Sequence, residues 1–215
     1  YAKDYPFFLK KKIKIIENFI NIKNKKKLLN KNESDYFKIL IISRLENKQK
    51  NINNFLYSIK KINEDYLNKI KISIIGDGVD FKIINNTIKE LKLNNCVDII
   101  KPISFDISSY YLNANLFIIP SKWEGVSNSL LEAMSYGLPV IALKRCQGMK
   151  KFVINDYNGY LVENENELII FQDLIEELID NKTYLKKLGR NSIEVIKRLN
   201  MVDDKIQWRD LLNDT

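Results

Sequence analysis

The residue types best placed to do chemistry lie in one run, Ser121-Lys122-Trp123-Glu124-Gly125-Val126-Ser127-Asn128-Ser129-Leu130-Leu131-Glu132-Ala133. Two glutamates, Glu124 and Glu132, stand with seven residues between them, and Gly125 follows the first. Small polar residues then lead into an apolar run of helical spacing. A helix is therefore expected from about Ser127, with Glu124 in the loop before it and Glu132 in its second turn. The start of such a helix presents backbone N–H groups and a positive dipole end, a setting that suits a phosphate. Two plainer readings compete. Ser129-x-x-Glu132 matches a capping box, in which the glutamate only satisfies a backbone donor, and Glu124 taken alone is an exposed loop carboxylate.

A second run, Ser43-Arg44-Leu45-Glu46-Asn47-Lys48-Gln49-Lys50-Asn51, offers a planar guanidinium at Arg44 and a point charge at Lys50, both suited to phosphate oxygens. A third, Gly76-Asp77-Gly78, supplies a tight turn where backbone can approach a ligand closely. It is not G-x-G-x-x-G, and no G-x-x-x-x-G-K-[ST] occurs, so the fingerprints of dinucleotide-binding and P-loop proteins are not met. The chain has no histidine, which excludes Ser-His-Asp and Cys-His catalysis. Its two cysteines, Cys96 and Cys146, are too few for a zinc site and read as inert core residues.

The three runs share a position. Short apolar stretches alternate with amphipathic ones from residue 38 onward: strands are expected over Lys38–Ser43, Ile70–Ile75, Cys96–Ile100, Leu116–Pro120, Pro139–Leu143 and Gly159–Val162. Helices are expected over Asn51–Asn63, Phe81–Leu93, Ile107–Asn113 and Asn128–Tyr136, and over about 166–180, 182–198 and 203–213. Between the fifth and sixth strands there is room for a helical turn. This alternation predicts an α/β fold, a Rossmann-like doubly wound parallel sheet with flanking helices. Ligands of such sheets bind beyond the carboxyl ends of the strands, which is where all three runs fall.

At 215 residues, 45% of them hydrophobic and 11% aromatic, the chain fits one large globular domain or two small ones. No apolar run approaches the ~18 residues of a membrane span, and the first residues lack a signal-peptide pattern. The start without methionine is read as loss of an upstream part. The net charge of +8 is confined to one end, because residues 1–31 hold ten lysines against Asp4 and Glu17 while the remainder balances. Blocks such as Lys10-Lys11-Lys12 and Lys25-Lys26-Lys27 could touch anionic lipid or nucleic acid, though a solvated linker is the favoured reading. The aromatics near them, Tyr5, Phe7, Phe8 and Phe19, are not read as a stacking platform, which weighs against a nucleic-acid-binding domain. Two regions result: a basic linker and remnant over 1–37, with Lys12–Ile16 a candidate strand, and a Rossmann-like domain with C-terminal helices over 38–215.

Taken together, SRL…KN at 43–51, IIGDG at 74–78, NANLFIIPSKWEGVSNSLLEAMSYGLPVIA at 113–142 and NDYNGYLV at 155–162 resemble the retaining glycosyltransferases of GT-B fold. The likeness is to the family 4 type (glycosyl transferases group 1), which includes sucrose synthases, mannosyltransferases and many bacterial polysaccharide-assembly enzymes. It runs from about residue 13 to the end, is most specific from Pro120 to Ala142, and corresponds to the C-terminal, nucleotide-sugar-binding half.

The resemblance implies that Glu124 and Glu132 are the paired glutamates of an E-x7-E motif. Glu132 would accept hydrogen bonds from the nucleotide ribose, and Glu124 would orient the donor sugar. Arg44 and Lys50 would clamp the diphosphate, with Ser127, Asn128 and Ser129 completing the cradle, Gly76 allowing close approach, and the base lying near Ile103. No cofactor or metal is expected, since these cations stabilise the departing charge. Retention would arise by front-face attack, with the leaving phosphate accepting the acceptor's proton and no covalent nucleophile.

Three departures are visible: Asn51 where a glycine usually follows the lysine, Ser127 and Ser129 where glycine or apolar residues are common, and Lys151 where an acid is frequent. The acceptor, glycan or lipid-linked, would be held by an N-terminal domain absent from this chain, with residues 13–22 as the link to it. Donor binding without efficient transfer is then expected of the chain alone. Its expected place is the cytoplasm, with peripheral contact at the inner face of the membrane through residues 1–31 as an option. The alternative is a non-catalytic nucleotide-sugar-binding or assembly module that partners another subunit.

Overall fold

The computed structural model describes residues 34–102, 106–163 and 167–199. Six apolar runs form strands: β1 (Phe37–Ile42), β2 (Ile70–Ile75), β3 (Val97–Ile100), β4 (Leu116–Ile119), β5 (Val140–Leu143) and β6 (Gly159–Val162). Near-continuous apolarity, as in the LFII of β4 and the VIAL of β5, is what a strand covered on both faces requires, and every residue of both is buried. The helices are α1 (Asn47–Lys50), α2 (Ile52–Lys60), α3 (Glu64–Leu67), α4 (Phe81–Glu90), α5 (Ser108–Asn113), α6 (Asn128–Ser135), α7 (Glu167–Asp180) and α8 (Lys182–Leu199), with a 3-10 turn at Gln147–Met149.

All strand pairs are parallel and the sheet order is β3-β2-β1-β4-β5-β6. The chain winds outward from β1 to β3, crosses back to β4 beside β1, and winds outward again to β6. The pairs Ile39↔Leu116 and Leu40↔Phe117 form that central seam. Connections leave β1 and β4 in opposite directions, so a crevice opens above their carboxyl ends.

Alternation along each strand feeds two cores. Ile39, Ile41, Ile72, Ile74, Leu116, Ile118, Ile141 and Leu143 pack with α2, α4 and α7, where Phe55 and Phe171 meet edge to face at 5.8 Å. Leu40, Ile75, Phe117, Ile119, Val140 and Ala142 pack on the other face with Leu130, Leu131, Ala133 and Met134 of α6 and Val195 and Ile196 of α8.

The expected doubly wound sheet is present, with shifted boundaries. Asn51 has φ 57° and ψ 28°, so the helix expected over Asn51–Asn63 is α2, which starts at Ile52 and ends at Lys60, with the short α1 before the left-handed residue and α3 after the expected end, neither of them expected. Asparagine is among the few residues besides glycine that take this conformation readily, which accounts for its standing where glycine was usual. β1 begins one residue before the expected domain boundary at 38. The expected strand at Lys12–Ile16, the link over 13–22, the helix over 203–213 and the basic segment 1–31 lie outside the described residues, as does Ile103.

Phe117 is fully buried on the central seam. Phe117→Ala is expected to lower the unfolding free energy by about 3–5 kcal/mol in urea titration, whereas Val79→Ala, at an 87% exposed position, is expected to change it by no more than about 0.5 kcal/mol.

Candidate functional site

The loop after β1 is seated by the turn after β2. Ser43 N donates to Ile75 O at 3.1 Å and Leu45 N to Asp77 O at 2.9 Å. A Cβ on Gly76 would lie 1.9 Å from Ser43 O, so only glycine permits this approach. At Gly76 it is the protein's own β1 loop that lies this close. Arg44, in that loop, is exposed, with a 3.9 Å contact to Glu46, and such a surface pair holds it weakly.

α1 carries the loop across the seam to the segment after β4. Lys122 N donates to Gln49 O at 2.8 Å, and Gln49 Nε2 donates to Trp123 O at 3.0 Å. Between these stitches Lys50 Nζ forms a short ion pair with Glu124 Oε1, both side chains about seven-eighths buried. Ser121 Oγ donates to the same carboxylate oxygen at 2.8 Å. Glu124 is therefore no exposed loop carboxylate: residues 74 positions apart in the chain meet in one buried contact. Beneath it the Cys146 thiol donates to Ser121 O at 2.8 Å. Burial, with a further push from the Glu124 charge, raises that thiol to about 11, so it stays protonated and unreactive. Gly148, in the 3-10 turn, backs the loop from the far side, where a Cβ would lie 2.1 Å from Gly125 O.

Glu132 is held differently. Its Oε2 accepts a 2.6 Å hydrogen bond from the Tyr111 hydroxyl. Tyr111 is buried on α5, stacked on Tyr136 at 5.1 Å, and burial, then the bond to Glu132, pushes its phenol far above the usual range. The capping-box reading of Ser129 and Glu132 is overturned: the N-cap of α6 is Ser127, and Glu132 lies beyond the reach of a capping partner in the second turn.

Ser129 Oγ donates to Ile42 O at 3.3 Å, which sets the start of α6 against the end of β1. With that proton spent, Ser127 is the donor in its 2.8 Å contact with Ser129. The Ser127 side chain makes no cap hydrogen bond to α6, so the positive end of the helix is not quenched from within by that hydroxyl. Arg44 and Lys50 thus follow β1, and Glu124, Ser127, Asn128 and Ser129 follow β4, beyond the carboxyl ends of the two paired strands, with Glu132 one turn into α6.

The chain matches the family described as glycosyl transferases group 1 over residues 21–195. It belongs to that family. An uncharacterised glycosyltransferase of Haemophilus influenzae is 32% identical over 171 residues, covering 74% of this chain and 45% of that protein. The capsular polysaccharide biosynthesis glycosyltransferase CapM of Staphylococcus aureus is 30% identical over 186 residues, covering 86% of this chain and 46% of that protein. Among solved structures, HepE of Anabaena in complex with UDP superposes with a TM-score of 0.78 at 20% identity, covering 94% of this chain and 57% of that one. The glycosyltransferase domain described here has the Rossmann-like architecture of GT-B structures. It spans about half the length of the curated relatives named.

Sequence reasoning missed Tyr111, Ser121 and Gln49 as supports of the site. Ser121 sits in the quoted motif and Gln49 in the Arg/Lys run, but nothing separated Tyr111 from Tyr110 beside it. The glycosyltransferase domain also has a cavity of about 460 Å³, lined in part by Phe37, Lys69, Asn115, Lys186 and Arg190. These residues gather at the amino-terminal edge of the sheet, away from the strand ends where such folds bind ligands. No helix among the described residues is long and apolar enough to cross a membrane.

Breaking a buried pair from one side leaves an uncompensated charge. Lys50→Met is therefore expected to destabilise the domain by up to about 3 kcal/mol in thermal unfolding, and Lys50→Met/Glu124→Gln by clearly less than Lys50→Met alone.

Proposed function

We propose that this chain is the nucleotide-sugar-binding half of a retaining glycosyltransferase of the family 4 type that works in bacterial-type glycan or polysaccharide assembly. The observation that carries the reading is the meeting of Lys50 and Glu124 at the β1–β4 crevice beside the start of α6. That arrangement sets cations and a helix start where a diphosphate can lie, and a carboxylate at its edge.

In this reading Glu124 and Glu132 form an E-x7-E motif with separate tasks. Lys50 has three N–H donors, of which Glu124 takes one, and the others face the diphosphate together with Arg44. As the bond between the anomeric carbon and phosphate breaks, negative charge grows on the departing nucleoside diphosphate. Arg44, Lys50 and the amides of Ser127, Asn128 and Ser129 stabilise it, the electrostatic term that is usually largest. These groups supply positive charge without a metal ion or other cofactor. Glu124, its own charge balanced by Lys50, orients the sugar, and Glu132 accepts hydrogen bonds from the ribose.

Retention follows from front-face attack, with the leaving phosphate taking the acceptor's proton. The acceptor, glycan or lipid-linked, is held by a second domain, in the rest of the protein or on a partner subunit. The setting is cytoplasmic. The UDP held by HepE makes UDP-sugars the first donors to try.

Saturation-transfer NMR of the chain with UDP-, GDP- and ADP-sugars checks donor binding. The expected result is transfer to the ribose and base protons of one nucleotide class, reduced at least about tenfold in Glu132→Ala. Equal signals in the unsubstituted chain and in Glu132→Ala, or none from any donor, would overturn the reading.

A further inference from the structure

The buried phenol of Tyr111 lies beside Glu132. Tyr111 is 1% exposed, its ring packed against Phe117 at 6.1 Å and stacked on Tyr136 at 5.1 Å. A phenylalanine would fill such surroundings as well, and a buried hydroxyl costs free energy unless it is bonded. The hydroxyl's partner is Glu132 Oε2, at 2.6 Å.

Glu132 is only partly buried and sits on a flexible side chain with several rotamers. The bond from Tyr111 selects one of them. It consumes one acceptor position and leaves Oε1 and the second lone pair of Oε2 to other donors. A carboxylate in that state suits a pair of neighbouring hydroxyls, each donating a proton. The phenol itself remains a donor, because burial and the bond to Glu132 hold its proton.

We propose that Tyr111 is a positioning residue for nucleotide recognition: its hydroxyl fixes the Glu132 carboxylate so that the remaining acceptor positions meet the two hydroxyls of a ribose. The inference rests on the reading of Glu132 as the ribose acceptor. It adds a specificity, for ribonucleoside over 2′-deoxyribonucleoside diphosphates. Preorganisation is the physical basis, since a carboxylate already locked by the fold loses less freedom on binding.

The test is calorimetric titration of the full chain with UDP, GDP and ADP, followed by the 2′-deoxy form of whichever binds most tightly. Chains carrying Tyr111→Phe and Glu132→Gln are titrated in parallel, with thermal unfolding of each. Tyr111→Phe keeps the ring and removes only the hydroxyl. It is expected to weaken the ribonucleotide about tenfold and the 2′-deoxy form by less than about threefold, with the melting temperature little changed. Equal loss for both nucleotides, or a Tyr111→Phe chain that no longer folds, would show that the hydroxyl is structural and overturn the proposal. Unchanged binding in Tyr111→Phe beside strong loss in Glu132→Gln would overturn it too, while the ribose role of Glu132 stood. If no nucleotide bound, or Glu132→Gln bound normally, both would fall together.

Discussion

The pairing of β1 with β4 is the constraint on which the rest depends. Two strands separated by most of the first half of the chain lie side by side, through Ile39↔Leu116 and Leu40↔Phe117. Because the winding reverses there, the loops that follow them diverge, and α1 from one side and α6 from the other close around the gap. Four contacts that organise the site cross this seam: Gln49 to the Trp123 and to the Lys122 backbone, Lys50 to Glu124, and Ser129 to Ile42. Without the seam these are unrelated polar residues on two loops.

The two glutamates solve opposite electrostatic problems. Glu124 is neutralised by a cation and steadied by Ser121, whose carbonyl is itself tied to Cys146. A second anion can then approach without facing a bare charge. Glu132 is bonded to a neutral phenol instead, which orients the carboxylate and leaves its acceptor character intact. One carboxylate is balanced and the other is kept available. That division matches a ligand with a charged diphosphate at one end and uncharged hydroxyls at the other.

Much of this was legible in the sequence, and the failures have physical causes. The ILII of β1 stands out because burial on both faces favours an apolar run, while Ile70–Ile75 alternates, with Lys71 and Ser73 only half-buried, and its expected range needed no adjustment. The helix expected from Asn51 begins one residue later, and the short α1 before it went unexpected, because apolar spacing does not report a left-handed residue, which Asn51 supplies at φ 57°. The capping pattern at Ser129 was a coincidence of spacing, since the helix is capped by Ser127 and Glu132 turns to Tyr111. Tyr111 itself was invisible, because which of two adjacent tyrosines turns inward depends on the phase of a helix only six residues long. The contact of Lys50 with Glu124 needed the sheet order, which sequence alone implies only through the fold.

The most direct measurement is a crystal structure of the chain soaked with UDP. The result expected is a nucleotide in the β1–β4 crevice, its ribose within hydrogen-bonding distance of Glu132 and its diphosphate between Arg44, Lys50 and the start of α6. A nucleotide bound elsewhere, as in the cavity beside Lys69 and Arg190 at the opposite edge of the sheet, or bound in the crevice with its ribose turned away from Glu132, would contradict it.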